Sequence, residues 1–272
     1  MDEATGTNDS TVHRGFGVDI GGSGIKGALV DLSSGELLND RIKYDTPQPS
    51  TPEAVAKVVA KIVEEAGWEG PVGITYPGVV REGKIFTAAN VDRSWIGTDA
   101  GELFKKALGG REVAVLNDAD AAAVAEDRFG AAKGCRGTVL LLTFGTGIGS
   151  GLLFDGTLVP NTELGHLKIG KEEAEELASS HAKDRDGLSY PEWAQRVSTV
   201  LETLEAVLWP DVFVVGGGIS RKADKWVPLL TCRTPVVPAV LRNTAGIVGA
   251  AHAVTAGAQP QPGYNGPVIA ES

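Results

Sequence analysis

The sequence predicts an α/β protein with two similar halves. Two observations carry this reading. Short apolar runs of strand character alternate with segments of helical spacing along most of the chain. In addition, residues 16–31 (FGVDIGGSGIKGALVD) align without gaps to residues 140–155 (LLLTFGTGIGSGLLFD), with Gly21/Gly145, Gly27/Gly151, Leu29/Leu153 and Asp31/Asp155 identical. Each segment is an apolar run, a loop with several glycines, and a second apolar run closed by Asp and a glycine turn. That pattern is a β-hairpin whose loop needs unusual φ angles or close approach to a ligand.

The elements follow in order. Residues 52–66 have helical spacing, with Pro52 at the start and Gly67 just past the end. Residues 71–76 (PVGITY) read as a strand, closed by the Pro77-Gly78 turn. Residues 99–108 suggest a helix and 112–116 a buried strand, after which Asn117-Asp118 open an Ala-rich helix to about 129. After the second hairpin comes a polar segment, then a helix over 191–208, a strand at 211–215 and the Gly216-Gly217-Gly218 turn. A short strand at 235–237 and a small-residue helix at 244–254 complete the pattern.

The chain has 272 residues, 42% of them hydrophobic and 22% charged, which suits a folded globular protein with a sizeable core. Its net charge of −10 argues against a broad nucleic-acid surface. Cys135 and Cys232 are far apart and form no metal-binding spacing; both read as small buried hydrophobes. Residues 1–13 are polar, with no basic start or apolar stretch, so a disordered tail and a cytoplasmic protein are expected. Residues 137–154 are uncharged, but five glycines interrupt them, so strand–loop–strand replaces a membrane span. Residues 255–272, with three prolines, read as a second tail.

Three glycine turns follow apolar strands, at 21–27, 145–151 and 216–218. Consecutive N–H groups in such turns bind anions, and glycine leaves room for a phosphate. No P-loop pattern occurs, and Gly145-Thr146-Gly147-Ile148-Gly149 runs into a strand rather than a helix. Asp19 and Lys26 flank the first loop, as a magnesium and phosphate pair or as a charged pair on an exposed hairpin. Asp118 is either an N-cap or a general base near a helix N-terminus. Glu163-Leu164-Gly165-His166 places a carboxylate and an imidazole where they can hydrogen-bond a polyol, and Asn90 and Asn117 add amides.

Taken together, Asp19–Lys26 (DIGGSGIK), Leu116–Ala123 (LNDADAAA), Thr143–Gly151 (TFGTGIGSG), Glu163–His166 (ELGH) and Gly216–Ser220 (GGGIS) resemble, in order and spacing, the motifs of ROK-type sugar kinases. The resemblance covers residues 14–254. Tyr76–Val80 (YPGVV) and Ala88–Thr98 (AANVDRSWIGT) are most similar to the branch that phosphorylates glucose from polyphosphate or ATP, glucomannokinases included.

The resemblance implies two ribonuclease-H-like domains of the actin/hexokinase/Hsp70 superfamily, over residues 14–118 and 119–254, with a central cleft. The last helix is allowed to pack back on the first domain. It makes Asp118 the base that activates the sugar 6-hydroxyl, and Asn90, Asn117, Glu163 and His166 sugar ligands. Asp19, Gly21, Gly22, Ser23, Gly24, Lys26, Thr143, Gly145, Thr146 and Gly147 would surround the phosphates, with Asp19 holding Mg2+. Gly217 and Gly218 would approach the nucleotide when ATP is the donor.

Many ROK proteins carry a Cys-rich zinc motif after Glu-x-Gly-His, ending in a Glu that touches the sugar. Residues 167–190 hold no Cys, so no zinc site is expected, and Glu175 is the candidate for that Glu, against its reading as part of a solvated acidic helix face. Implied partners are glucose or mannose and a homodimer mate, with no nucleic acid or membrane. Alternatives are an ATP-only hexokinase, an N-acetylhexosamine kinase, an actin- or Hsp70-like ATPase, or a sugar-sensing regulator, although only about 15 residues precede the first strand. A polyphosphate user with this charge needs a local basic path, for which Lys26, Lys84 and Arg93 are candidates.

Overall fold

A computed structural model describes residues 13–255. Apart from His13 and Thr255, the two expected tails lie outside the described residues. β1 (Arg14–Ile20), β2 (Gly24–Asp31) and β3 (Ile42–Asp45) form an antiparallel meander. Helix α1 (Pro52–Glu65) starts where Thr51 accepts a hydrogen bond from the Ala54 N–H and Pro52 needs no donor. It leads to β4 (Val72–Tyr76), the small hairpin β5 (Val80–Arg81) and β6 (Lys84–Ile85), helix α2 (Ala100–Ala107), β7 (Val113–Asn117) and helix α3 (Asp118–Phe129). The sheet order is β3-β2-β1-β4-β7, with β1, β4 and β7 parallel.

The second half repeats this plan. β8 (Thr138–Phe144), β9 (Ile148–Phe154) and β10 (Thr157–Val159) form an antiparallel meander. The ribbon β11 (Lys168–Ile169) and β12 (Glu172–Glu173) follows, then helices α4 (Ala174–Ala178), α5 (Ser180–Arg185) and α6 (Tyr190–Leu208). Strands β13 (Val212–Gly216) and β14 (Val236–Pro238) then precede helix α7 (Ala245–Thr255). The order β10-β9-β8-β13-β14 matches the first sheet position for position. The alignment of the two glycine hairpins therefore reflects equal places in two equal topologies, the ribonuclease-H-like plan. Residues 156–190, read from sequence as a polar segment, hold the short elements β10 to β12, α4 and α5. Their buried residues are single alanines, Ala174, Ala178 and Ala182, too few to show a period.

Strand alternation fixes the layers. Phe16, Val18 and Ile20 of β1 and Val72, Ile74 and Tyr76 of β4 pack with Val55, Val59, Ile62 and Phe104 of α1 and α2. Leu140, Leu142 and Phe144 of β8 pack with Trp193, Val197 and Leu201 of α6. Between the sheets lie α3 and α7, where Val139 and Leu141 meet Ala122, Ala123, Ile247 and Val248. Helix α7, last in sequence, lies against β1 and β4 as well as α3. Each fully buried aliphatic side chain contributes roughly 1.5–3 kcal/mol.

Backbone meets backbone in this middle layer. A Cβ on Gly17 would fall 1.9 Å from the Ile247 carbonyl oxygen, and one on Gly73 would fall 1.8 Å from that of Ala250. Neither neighbour is a flexible side-chain end. Gly73→Ala is therefore expected to lose about 2–3 kcal/mol by urea unfolding. Gly187→Ala, at φ +63° with nothing within 4 Å, should lose only about 1–2 kcal/mol. Equal losses at the two sites would refute the close-approach argument.

Candidate active site

The site lies at the carboxyl ends of the parallel strands, where open α/β sheets place ligands. The first glycine loop is closed by the Gly21 N–H donating to Gly24 O at 3.0 Å, and its Gly21 carbonyl accepts from the Thr46 hydroxyl at 2.5 Å. Ser23 O accepts from the Thr46 N–H, and a Cβ on Gly22 would lie 3.4 Å from Asn90 O, so the Asn90 segment abuts this loop. The second loop is closed by the Gly145 N–H on Gly147 O at 2.9 Å, while Thr146 is exposed. Thr143 is paired with Gly216, and Gly217, at φ +83°, approaches the Phe144 backbone so closely that a Cβ would lie 2.3 Å from Phe144 O. The second and third turns therefore abut one another.

Asp19 ends β1 on the face turned toward α7. Its Oδ1 accepts from the Thr75 hydroxyl at 2.8 Å, and a Cβ on Gly246, in the first turn of α7, would lie 3.1 Å from that oxygen. Lys26 lies directly across the ladder from Asp19.

Asp118 begins α3, but it does not cap it. Asn117 does: its Oδ1 accepts from the Ala119 and Asp120 N–H groups at 2.8 and 3.1 Å, and its Nδ2 donates to Gly78 O at 3.1 Å. Both polar ends of the buried Asn117 amide thus have partners within the fold, with one Nδ2 hydrogen left over. Asp118 is left with one short contact, accepting from the Ala119 N–H at 2.8 Å. Burial, then the Asp19 charge, then Glu163 push its carboxyl up to about 7, the Ala119 N–H pulling the other way.

Glu163, His166 and Glu175 complete the cluster. His166 Nδ1 lies 2.8 Å from Glu173 Oε2 and 3.8 Å from Glu175 Oε1, and its Nε2 lies 3.9 Å from Glu163. Glu175 is not a solvated helix residue. Its Oε2 accepts from the Ile148 N–H at 3.2 Å and fills the space beside Gly147 and Gly165. His166, Glu173 and Glu175 have ligand-capable atoms within 4.8 Å of one another, and the His166–Glu173 hydrogen bond accounts for the closest of these contacts. Burial raises the Glu163 carboxyl; hydrogen bonding to Glu173 raises the His166 imidazole.

Sequence reasoning missed Asp120 and Asn161. Buried Asp120 accepts the Asn161 N–H on Oδ2 at 2.8 Å, and its Oδ1 has no partner. Burial pushes this carboxyl up to about 7. Asn161, at φ +59°, accepts from the Val80 N–H and donates to Val80 O, both at 2.8 Å, tying the Glu163 arm to the first half. The signal was present in Asn117-Asp118-Ala119-Asp120, where a second carboxylate follows in the same turn.

The model of the ROK family matches residues 15–182. The chain belongs to the ROK family. It is 60% identical over 255 residues to the polyphosphate glucokinase of Mycobacterium tuberculosis (strain H37Rv), covering 93% of this chain and 96% of that protein. The crystal structure of the inorganic polyphosphate/ATP-glucomannokinase from Arthrobacter sp. strain KM matches with a TM-score of 0.85 and 51% identity, over 90% of this chain and 99% of that one. A ROK family glucokinase from Streptomyces griseus, in complex with glucose and AMPPNP, matches with a TM-score of 0.76 and 26% identity, over 89% and 99%. Among the described residues of this ROK protein, no helix is long and apolar enough to cross a membrane.

Two predictions follow from the electrostatics of the ROK site. With Asp118 raised above the ordinary carboxylate value of about 4, the folded chain binds more protons than the unfolded one between pH ~4 and ~7. Asp118 therefore lowers stability as pH rises through that window, and fully above it. Asp118→Asn should stabilise the protein on the order of 2 kcal/mol at pH 8 and much less at pH 5, in urea titrations. A variant less stable than wild type at pH 8 contradicts the assignment. Separately, Glu173→Gln should lower the His166 pKa in an NMR titration; an unmoved value would show that Glu173 does not govern this ring.

Proposed function

We propose that this chain is a glucokinase that transfers a phosphoryl group from inorganic polyphosphate or ATP to the 6-hydroxyl of glucose, with mannose as a second acceptor. The observation that carries the reading is the placement of Asp118, which feels the charge of both Asp19 on the phosphate side and Glu163 on the polyol side. The relatives named for polyphosphate glucokinase and polyphosphate/ATP-glucomannokinase activity agree with it.

In this mechanism Glu163, His166, Glu175 and Asn90 hold sugar hydroxyls. Asn117 caps α3 and keeps the Asp118 carboxylate free. Asp118 accepts the proton of the attacking hydroxyl, a step late enough in phosphoryl transfer to need only a modest base. The N–H groups of the loops at Gly21–Gly24 and Gly145–Gly147, with Lys26, take up phosphate charge, and Gly217 and Gly218 leave room for a nucleotide. Asp19 suits Mg2+, which is usually bound by one or two carboxylates and substrate phosphates and which neutralises phosphate oxygens when present. The same reading makes the protein a cytoplasmic homodimer.

Glucose phosphorylation with long-chain polyphosphate against ATP, each with Mg2+, tests the proposal. Turnover with both supports it; turnover with ATP alone leaves an ATP hexokinase. N-acetyl sugars outperforming glucose would favour an N-acetylhexosamine kinase. Asp118→Asn should cut kcat about 10²- to 10⁴-fold while glucose binding, measured by calorimetry, persists. For the wild type, kcat/KM should rise with pH through about 7 as Asp118 ionises; a profile flat from pH 5 to 8 would assign the base elsewhere.

A further inference from the structure

A chain of cations leads outward from the first glycine loop. Lys26 on β2 stands across from Asp19 on one side and Lys43 on β3 on the other. Neighbouring strands are ~4.8 Å apart, so Asp19, Lys26 and Lys43 form a row about 10 Å long on one face of the sheet. The Lys43 side chain leans over the loop, its Cε 3.1 Å from where a Gly24 Cβ would stand. Arg41, two residues before Lys43, lies about 7 Å further along the edge. Its Nη1 donates to Asn243 O at 3.3 Å.

A second guanidinium meets Arg41 there. With the Asn243 amide turned so that its oxygen faces the arginines, that one oxygen accepts from Arg41 Nη1 at 3.1 Å and Arg221 Nη2 at 3.2 Å. Arg221 comes from the 3-10 turn Gly218–Lys225, which starts at the third glycine turn, and Asn243 precedes α7, whose first turn abuts Asp19. Two like charges sharing one neutral acceptor repel each other. Among the described residues, neither arginine nor Lys26 nor Lys43 has a carboxylate within 4.0 Å. The segment beneath them is anchored, because buried Glu126 accepts the Val240 and Leu241 N–H groups at 3.1 and 2.7 Å. Arg41, Lys43 and Arg221 are exposed.

We infer that Lys26, Lys43 and the Arg41–Arg221 pair form the track for the polyphosphate chain, the inner phosphates on the glycine loop and the distal ones between the two guanidiniums. The inference rests on the polyphosphate reading proposed above and identifies where that donor lies. Arg is suited to the outer end because its planar fork binds phosphate oxygens bidentately, and a phosphate between the two groups removes their repulsion. On a chain of net charge −10, such a stripe confines a polyanion to one route. Of the cations expected from sequence, Lys26 belongs to this row. Lys84 sits on the β5–β6 hairpin, its backbone paired with that of Asp99, and Arg93 opens a 3-10 turn capped by Asp92.

The test is the double variant R41A/R221A, assayed with long-chain polyphosphate, tripolyphosphate and ATP, beside equilibrium binding of end-labelled long-chain polyphosphate without glucose. The expected result is at least a tenfold rise in KM and in Kd for the long chain. The KM values for ATP, tripolyphosphate and glucose should stay within about twofold. The dependence of log Kd on log salt should flatten by roughly 1.5, near the value for two lost phosphate contacts. Wild-type affinity for the long chain, or an equal loss with ATP, overturns the track. Equally tight binding of an oligonucleotide of matched charge also overturns it. A wild type that binds the long chain but transfers no phosphate from it would refute the proposed donor instead, and the binding arm would still decide the track.

Discussion

The architecture depends on one packing constraint, the absence of side chains where α7 crosses its neighbours. Gly17 and Gly73 let β1 and β4 touch the α7 backbone, and Gly249 lets α7 touch α3, where a Cβ would lie 1.8 Å from Ala121 O. Gly151 does the same for β9 on α3, with Ala119 O 2.8 Å from its Cβ position. Each of these contacts removes the few ångströms that a side chain would impose between layers. The two sheets therefore close on a thin middle layer, and the first turns of α3 and α7 arrive beside Asp19. Asp19 and Asp118 stand at the carboxyl ends of β1 and β7, the outer strands of the first sheet's parallel set, near enough for Asp19 to raise the Asp118 carboxyl.

That nearness has an electrostatic cost which the sequence's acidic balance makes sharper. Asp19 and Glu163 repel the Asp118 carboxylate, Glu163 and Asp118 that of Asp120, and Glu175 that of Glu163, while burial adds to the repulsion at Asp118. Such a cluster costs stability wherever its carboxylates are held ionised out of water. The opposite sign appears at the edge of the first sheet and at the turn beyond Gly218. The molecule thus separates a cluster of carboxylates from a row of cations, and the separation is set by which strands and turns each group occupies.

Much of this was legible in the sequence because it is local. The two glycine hairpins, the helices over 52–66 and 191–208 and the strand–Asn-Asp–helix junction all carry their signals within a few residues. Asp118 opens the helix as its sequence position suggests, but its capping alternative was resolved only when Asn117 proved to hold the two N–H groups. Glu175 turns inward from its acidic run, although nothing in Glu-Glu-Ala-Glu-Glu distinguishes it; the Ile148 N–H and the bare Gly147 and Gly165 do that. Arg41, Arg221 and Asn243 were not legible, since they are exposed, ordinary in composition and about 180–200 residues apart at the extremes. Their meeting is purely a product of topology.

Helix α3 joins these layers into one device. Its first residue is Asp118, two positions on Asp120 holds Asn161 and through it Val80, and near its end Glu126 holds Val240 and Leu241. Both buried carboxylates bind main-chain N–H groups rather than side chains, so they fix the path of two loops without depending on a rotamer. One loop carries Glu163 toward Asp118; the other carries Asn243 to the cation pair. The alanines between them give α3 no bulk of its own, which lets both sheets reach it. Any motion that displaced this helix would have to pull a carboxylate from the main-chain N–H groups it holds. That requirement ties the position of Asp118, at the start of the same helix, to the two loops at once.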